Sequence, residues 1–166
     1  MTGGPIEGKR APKLPPRWFV RSAWVVHRAI YRFTGGRRGL ATPTPGGQFG
    51  YLRLKTVGRR SGQERAAILG YYEDGPNLVT LAINGWANGE PAWWLNLQAH
   101  PHAMVELKNG SRAVRARAAE GEERARLWAE VRNYSGYGND VDAYANLRSS
   151  ETAVIVLEPR SEAQGT

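Results

Sequence analysis

Beyond residue 50 the chain consists of short runs in which apolar and polar residues alternate, and this pattern constrains its fold most. In the run 51–57, Leu52 and Leu54 lie on one side of the pattern and Arg53 and Lys55 on the other. Alternation with a period of two is typical of a strand with one buried face. Together with the turn residues, such runs predict six strands: 51–57, 65–72, 77–83, 103–107, 111–118 and 153–157.

Turn signals and three helical segments complete the predicted fold. Asp74-Gly75 and Asn109-Gly110 separate neighbouring strands and predict hairpins. Helices are predicted over the ranges 91–100, 120–134 and 140–147. Strands joined mostly by short turns, with helices before a returning strand that ends at Pro159, predict an α+β fold: an antiparallel sheet curled into a small barrel with helices at its edge. A doubly wound parallel fold is not expected, because the sequence has no βαβ repeat and no GxGxxG run.

The first third of the chain has a different composition. Residues 1–16, rich in Gly, Pro, Lys and Arg, predict a flexible tail. Over 17–33 four arginines fall within a narrow arc of the helical wheel, opposite apolar residues, which predicts a basic amphipathic helix, followed by a loop over 37–50. The length of 166 residues fits one domain, expected over 17–160, with 161–166 as a second tail.

Charge and cysteine content restrict the possible partners and chemistry. Residues 9–63 hold 13 Lys/Arg and no Asp/Glu, whereas residues 64–166 hold 10 Lys/Arg against 14 Asp/Glu. One face or end is therefore basic, and the candidate partners are nucleic acid, anionic lipid and a polyanionic cofactor. Because the chain has no cysteine, any redox chemistry depends on a bound cofactor. No signal peptide or membrane-spanning run is recognisable, which predicts a cytoplasmic protein.

Three arginines and two glycines occupy the turn 56–65 between the first two predicted strands. Gly58 and Gly62 allow the backbone to curl tightly, and Arg59, Arg60 and Arg65 can aim their charges into the concavity. This arrangement predicts an anion site, with a phosphate-bearing ligand as the first hypothesis. The alternative is an ordinary hairpin loop whose arginines are solvated.

Tryptophans form a second candidate binding segment. Asn84-Gly85-Trp86 comes directly after a predicted strand, and Trp93 and Trp94 stand at the start of a predicted helix, where backbone N–H groups can meet phosphate. A flat apolar wall beside an anion site suits a flavin-like ring with a phosphorylated tail. The alternative is a core role, expected for one of the two adjacent tryptophans because neighbouring helix positions do not share a face.

Tyrosines around a glycine-broken loop are the candidates for contact with a substrate. The phenols of Tyr134, Tyr137 and Tyr144 can donate hydrogen bonds or protons to a carbonyl or nitro oxygen, although each is alternatively a packing residue. The three histidines lack the spacing of zinc ligands, so no metal site is expected. No acid–base dyad is recognisable.

Five segments in this order carry a family resemblance. They are Leu-Lys-Thr-Val-Gly-Arg-Arg-Ser-Gly-Gln at 54–63 with Arg65, Asn-Gly at 84–85, Pro-Ala-Trp-Trp-Leu-Asn-Leu-Gln-Ala-His-Pro at 91–101, the stretch from Glu-Arg-Ala at 123–125 through Tyr137, and Val-Ile-Val-Leu-Glu-Pro at 154–159. The chain resembles the deazaflavin-dependent nitroreductase family of the split β-barrel flavin-binding superfamily, from about residue 17 to 159. The resemblance implies a split β-barrel that binds coenzyme F420, a deazaflavin with a phosphodiester and an oligoglutamate tail.

The resemblance also implies roles for individual residues. The implied cofactor-binding set is Lys55, Arg59, Arg60, Ser61, Gly62, Arg65, Ala67, Asn84, Gly85, Trp86, Trp93 and Asn96. The implied substrate-facing residues are Tyr134, Tyr137 and Tyr144. One departure from the family pattern is Ile83-Asn84, where some members carry Ser-Lys, so a cation near the phosphate is missing.

The resulting prediction is an F420-dependent oxidoreductase that passes a hydride from C5 of the reduced deazaflavin to a small electrophile: a quinone, an enone or a nitro compound. Binding and orientation would suffice for this chemistry. The alternatives are an FMN-binding relative, a deazaflavin carrier, and a non-catalytic module that binds a membrane surface through 17–33. In the enzyme, too, 17–33 could touch anionic lipid peripherally. Nucleic acid is not expected as a partner, since no DNA-binding motif occurs, and no obligate protein partner is expected.

Overall fold

Six antiparallel strands form the sheet in the computed structural model, which describes residues 39–136 and 140–161. The strands are β1 (Gly50–Val57), β2 (Glu64–Asp74), β3 (Asn77–Leu81), β4 (His102–Leu107), β5 (Gly110–Ala118) and β6 (Val154–Pro159). All six predicted strands are confirmed, within two residues at either end. The predicted tail at 1–16, the helix at 17–33, Tyr137 and residues 162–166 lie outside the described residues.

The strands close into a barrel in the order β1-β2-β3-β6-β5-β4, with β4 pairing back onto β1. Within the described ranges three α-helices flank the barrel: α1 (Ala92–Ala99), α2 (Gly121–Val131) and α3 (Val141–Ala145). The predicted α+β barrel with helices at its edge is therefore confirmed. Pro159 is the last residue of β6 and still pairs, since it lies opposite Val114 and the next residue, Arg160, donates its N–H to the carbonyl of Ala113 at 2.9 Å.

The interior of the barrel is packed with side chains. Leu52 and Leu54 of β1 point inward, as their alternation predicts, and meet buried residues of every other strand and of α1. These include Leu69, Tyr71, Leu78, Val105, Val114, Ile155, Leu157, Trp94 and Leu97. Burial raises the pKa of Tyr71 to about 12. A small barrel filled in this way leaves its ligand site to the outer surface or the rim.

A second core lies between the outer face of β3 and β6 and the helix α2. Val79 and Val156 pack there against Leu127 and Val131. The hydroxyl of Tyr72 donates to the carbonyl oxygen of Leu127 at 2.8 Å, so the phenol is satisfied inside this core. Within 39–136 and 140–161, no helix combines the length and the apolar character needed to cross a bilayer.

Arginine–carboxylate pairs fasten the outer helices. Asp142 of α3 accepts hydrogen bonds from the indole of Trp128 at 2.7 Å and from the guanidinium of Arg132 at 2.9 Å. Arg132 lowers the pKa of Asp142, and the indole acts in the same direction. Arg117 binds Glu123 of α2 through two nitrogens, at 2.6 and 2.8 Å. These contacts hold α2 and α3 together beside the barrel.

Candidate functional site

A cleft opens where the ladder between β2 and β3 ends. Tyr72 lies opposite Val79, and the pairing continues from there towards the hairpin turn. Beyond this pair the two strands diverge in the described structure, and the hydroxyl of Thr80 donates to the carbonyl oxygen of Gly70 at 2.8 Å. Over 64–71, β2 keeps its pairing with β1 on the other side. A cavity of about 910 Å³ occupies the opening.

Four segments supply most of the lining of this cleft: the end of β1 with the turn after it, residues 65–70 of β2, the end of β3 with the residues after it, and the part of α1 up to Asn96. Phe49, Tyr51 and Gly136 complete it. Nine residues of the predicted cofactor-binding set are among the lining residues: Arg59, Arg60, Ser61, Arg65, Ala67, Asn84, Gly85, Trp93 and Asn96. The fold therefore brings together residues that stand as far apart as 59 and 96 in the sequence.

The turn between β1 and β2, residues 58–63, is held in a tight loop by its own backbone. The N–H of Gly58 donates to the carbonyl of Gln63 at 2.8 Å, and the N–H of Gly62 donates to the carbonyl of Gly58 at 2.8 Å. Gly62 adopts φ of +68°, which glycine reaches without strain. A Cβ on Gly58 would come within 2.8 Å of the hydroxyl of Ser61. Gly62 thus meets the conformational demand of the turn, and Gly58 leaves room for the side chain of Ser61.

Asn96 of α1 fixes this arginine turn, residues 58–63, from behind. Its side chain is only 5% exposed. The amide nitrogen donates to the hydroxyl of Thr56 at 3.2 Å, and the amide oxygen accepts the backbone N–H of Arg59 at 3.1 Å. Because one buried amide links α1 both to β1 and to the turn, it sets the position of the turn relative to the cleft.

Positive charge is concentrated at this end of the cleft. Arg59, Arg60 and Arg65 line it, and no Asp or Glu is among its described lining residues. Arg65 contributes a long hydrogen bond, 3.4 Å, to the hydroxyl of Ser61, so the site holds cations and a hydroxyl together. Guanidinium groups without a local carboxylate are suited to bind phosphate or carboxylate groups of a ligand.

Lys55 does not lie in the cleft, in contrast to its implied role. It belongs to the outward-facing side of β1, and its ammonium pairs with Glu106 of β4 at 2.7 Å. The hydrogen bond to Glu106 raises the pKa of Lys55. The alternation along β1 explains the difference, since Thr56 next to it points towards the cleft. Gly62 and Trp86 also lie outside the lining of the cleft.

A left-handed turn forms the wall opposite the arginine turn. Asn84, Gly85 and Trp86 have φ of 46°, 62° and 63°. For residues other than glycine this conformation costs about 1–2 kcal/mol each, least for asparagine. The ring of Trp86 is buried and stacks on Tyr144 with centroids 5.8 Å apart, which offsets part of the cost. Asn84 and Gly85 are thereby placed on the cleft surface.

The adjacent tryptophans of α1 have separate roles, as their spacing predicts. Trp94 is buried and belongs to the barrel core, whereas Trp93 lines the cleft. Their ring centroids are 6.4 Å apart with planes inclined by 59°. Trp93 therefore supplies the flat apolar wall near the arginine turn.

The candidate tyrosines lie behind the cleft wall. The ring of Tyr134 stacks between Phe49 and Tyr72, with centroids 5.2 and 5.1 Å away, and burial raises its pKa. Phe49 lines the cleft, but Tyr134 and Tyr144 do not. Tyr134 stacks behind the lining residue Phe49, whereas Tyr144 of α3 stacks on Trp86, which is not a lining residue. Tyr137 is outside the described residues, and the substrate-facing role of the three tyrosines stays a prediction.

Several cleft residues were not predicted from the sequence. Phe49, Tyr51, Ile68 and Leu81 give the end away from the arginine turn an apolar surface. Tyr51, Ile68 and Leu81 look like ordinary strand residues and Phe49 like a loop residue, and the divergence of β2 from β3 exposes them to a cavity. Within the described ranges no group of three His, Asp or Glu residues could hold a metal ion.

Fold and site together define a class of protein: a split β-barrel whose rim cleft joins a cationic end to an apolar wall, as a flavin-like cofactor with an anionic tail requires. A solved structure described as a domain-swapped dimer shares this fold, with a TM-score of 0.61 and 22% identity, covering 83% of this chain and 99% of that one. An F420-H2 dependent reductase, FDR-A, aligns with a TM-score of 0.57 and 26% identity, covering 65% of this chain and 93% of that one.

The sequence comparison identifies the family. Residues 24–159 match the model of the F420H(2)-dependent quinone reductase family. The chain is also 33% identical over 115 residues to Rv3178 of Mycobacterium tuberculosis strain H37Rv, named as a quinone reductase of this kind, covering 66% of this chain and 89% of that protein. The chain belongs to this family, and its cofactor is coenzyme F420. The predicted resemblance and the F420-dependent oxidoreductase function are confirmed.

Proposed function

We propose that the cleft between β2 and β3 is the F420 site, with the phosphodiester and acidic tail at the arginine turn and the deazaflavin ring along the apolar wall. The observation that carries the proposal is the separation of charged and apolar residues between the two ends of the cleft. Three guanidinium groups without a lining carboxylate stand at one end, and Phe49, Ile68 and Leu81 stand at the other. A polyanionic chain ending in a flat ring is complementary to both ends.

The described residues fit this cofactor in chemistry as well as in size. Arg59, Arg60 and Arg65 would bind the anionic groups, and Asn96 would keep the turn that carries Arg59 and Arg60 in place. Asn84, Gly85 and Trp93 would border the ring. A cavity of about 910 Å³ lies within the usual range for cofactor clefts.

Catalysis in this arrangement depends on binding and orientation. When bound, reduced F420 supplies a hydride to an electrophilic acceptor. The residues of the chain would contribute by holding both reactants side by side in the cleft, which shortens their approach. We propose a quinone, an enone or a nitro compound as the acceptor; the proton then comes from water or a tyrosine hydroxyl, and the role of Tyr137 stays a prediction.

A fluorescence titration with three ligands tests the site. F420, the same deazaflavin chromophore without its phosphodiester and tail, and FMN would be titrated into the purified protein at low and high salt. We expect F420 to bind most tightly and its advantage over the truncated chromophore to shrink as salt screens the arginines. Equal affinities for F420 and the truncated chromophore would contradict an arginine turn that binds the tail.

Turnover separates the enzyme from the remaining alternatives. Reduced F420 and a soluble quinone would be mixed with catalytic amounts of protein while the recovery of oxidised F420 absorbance is recorded. Binding without turnover would identify a deazaflavin carrier, and preferential binding of FMN would identify an FMN-dependent relative. The family assignment predicts turnover with F420.

We also propose that residues 17–33 touch anionic lipid and that the protein works peripherally on the cytoplasmic face of a membrane. The support is the sequence alone: Arg17, Arg21, Arg28 and Arg32 share one arc of a helical wheel opposite apolar residues. Flotation with vesicles of anionic and of zwitterionic lipid tests this, and a matched chain lacking residues 1–33 serves as the control. Absence of flotation with both vesicles would remove the proposal.

A further inference from the structure

Arg148 is a completely enclosed cation behind the cleft wall. Its side chain has 0% exposure. Its Nε donates to the carbonyl of Ala87 at 3.1 Å, and one terminal nitrogen donates to the carbonyl of Ala82 at 3.0 Å and to the hydroxyl of Thr152 at 2.9 Å. The other terminal nitrogen donates to the carbonyl of Gly89 at 2.9 Å. A carboxylate oxygen of Glu90, 3.7 Å away, supplies a nearby negative charge.

Apart from Thr152, the groups that contact the side chain of Arg148 belong to one loop. Ala82, Ala87, Gly89 and Glu90 all belong to residues 82–90, which connect β3 to α1 and contain the left-handed turn. The residue after Arg148 continues the contact, because the N–H of Ser149 donates to the side-chain oxygen of Asn88 at 2.7 Å. The loop is thus wrapped around a guanidinium that is not among the residues lining the cleft.

We propose that Arg148 is a positioning residue for the F420 site. By binding carbonyl groups before and after the left-handed turn, it fixes the spacing of the two ends of the loop. It thereby sets where Asn84 and Gly85 stand in the cleft wall. This inference rests on the proposed placement of the deazaflavin ring along that wall.

Only the geometry of arginine fits this role. The planar guanidinium has five N–H donors in a fixed fork, whereas a lysine ammonium has three donors on one atom and cannot reach carbonyls on opposite sides. A methionine would fill much of the space but leave the carbonyls of Ala82, Ala87 and Gly89 without this donor. The loop would then find other partners, and the cleft wall would move with it.

The test compares Arg148→Lys and Arg148→Met with a matched control, Arg117→Met. Arg117 is likewise bound through several nitrogens, but by the carboxylates of Glu123 and Glu158, and it lies on the outer face of the barrel away from this loop. Two quantities would be measured on the full chain: the Kd for F420, and deuterium exchange of peptides from 82–90 and from the core strand β6. Because Arg148→Met could fail to fold, Arg148→Lys keeps the inference testable.

We expect both Arg148 variants to raise the Kd for F420 about tenfold or more. Exchange over 82–90 should rise while exchange in β6 stays near that of the wild type. Arg117→Met should lower the Tm without changing the Kd. The inference is overturned if Arg148→Lys binds F420 as the control does, or if exchange over 82–90 is unchanged.

The exchange measurement needs no ligand, so the two proposals can fail separately. If exchange over 82–90 rises in Arg148→Lys while wild-type affinity does not depend on Arg60 or Arg65, the placement of the cofactor is wrong although Arg148 shapes the loop. If the arginine turn binds F420 as proposed and Arg148→Lys has the wild-type Kd, the inference on Arg148 is wrong.

Discussion

The two loops that face each other across the cleft both depend on arginine, but in opposite ways. In the arginine turn, residues 58–63, the guanidinium groups line the cleft, and one buried amide from Asn96 holds the backbone. In the loop 82–90 the guanidinium of Arg148 is buried behind the wall and holds the backbone itself. The same chemical group therefore faces the cleft in one loop and is enclosed by main-chain carbonyls in the other.

What decides between these roles is the supply of acceptors. Arg148 is surrounded by main-chain carbonyls and Thr152, so its hydrogen-bonding capacity is used inside the fold. The cleft arginines meet no lining carboxylate among the described residues, so an anionic ligand can supply their acceptors. A net positive charge in a sequence thus does not reveal which cations are available to a partner.

The largest expected effect tests the ligand-binding side of this comparison. Arg60→Ala and Arg65→Ala should each weaken F420 binding by about 1 to 3 kcal/mol, roughly 5- to 150-fold in Kd, because each removes charged hydrogen-bond donors. Lys55→Ala is the matched control, since Lys55 pairs with Glu106 on the outer face. Fluorescence titration measures the affinity of all three variants. If Lys55→Ala weakens binding as much as the other two, F420 does not bind in this cleft.

Removing the amide that holds the arginine turn should have the next largest effect. Asn96→Ala leaves the hydroxyl of Thr56 and the N–H of Arg59 without their partner, which should cost about 1 to 3 kcal/mol of unfolding free energy. F420 affinity should fall too, because the turn loses its fixed position. Urea unfolding and titration of the same variant check both. A destabilised variant with wild-type affinity would mean that the turn holds its shape alone.

At low pH the packing of α3 behind loop 82–90 should weaken before the arginine turn is affected. The pKa of Asp142 is lowered in the folded state, so its contribution to stability is present above the unfolded pKa of about 4 and is lost as the pH falls through the folded pKa. Asp74 and Glu123, whose pKa values their arginine partners also lower, act in the same direction.

Urea unfolding between pH 7 and pH 3 measures this dependence. The variant Asp142→Asn keeps the shape of the side chain and should show a shallower loss of stability towards acid than the wild type. Parallel curves for the two proteins would show that Asp142 does not fasten α3 through its charge.

The smallest effect is expected for a phenol behind the wall. Tyr134→Phe preserves the ring stack with Phe49 and Tyr72, so turnover should change by less than about twofold and the Kd for F420 should stay the same. Steady-state kinetics with a soluble quinone check this. A large fall in kcat at unchanged Kd would restore Tyr134 to the substrate-facing role that the sequence predicts.

Local sequence patterns predicted the barrel well because its strands and hairpins are local features. Alternation placed Leu52 and Leu54 inside the barrel, and Asp74-Gly75 marked the turn between β2 and β3. The arginine turn was found for the same reason, since its glycines and arginines lie within ten residues. Features of this kind need no knowledge of what lies across the fold.

The rest of the site depends on contacts between distant parts of the chain. Lys55 lies on the outer face because side chains alternate along β1. Tyr144 lies off the cleft surface because it stacks on Trp86. Arg148 stands 59 residues from Gly89, and a lone arginine in a polar stretch carries no signal of burial. Such long-range partners become visible only in the fold.

The divergence of β2 from β3 affects how the sequences of such proteins can vary. On the side turned away from β1, residues 66–69 border the cleft, and no strand pairs with them there within the described residues. The pairing of β2 with β1 is made by the main chain, so substitutions along this edge can reshape the cleft while the barrel stays closed. The stability of the barrel and the shape of its cleft can therefore vary separately as sequences diverge.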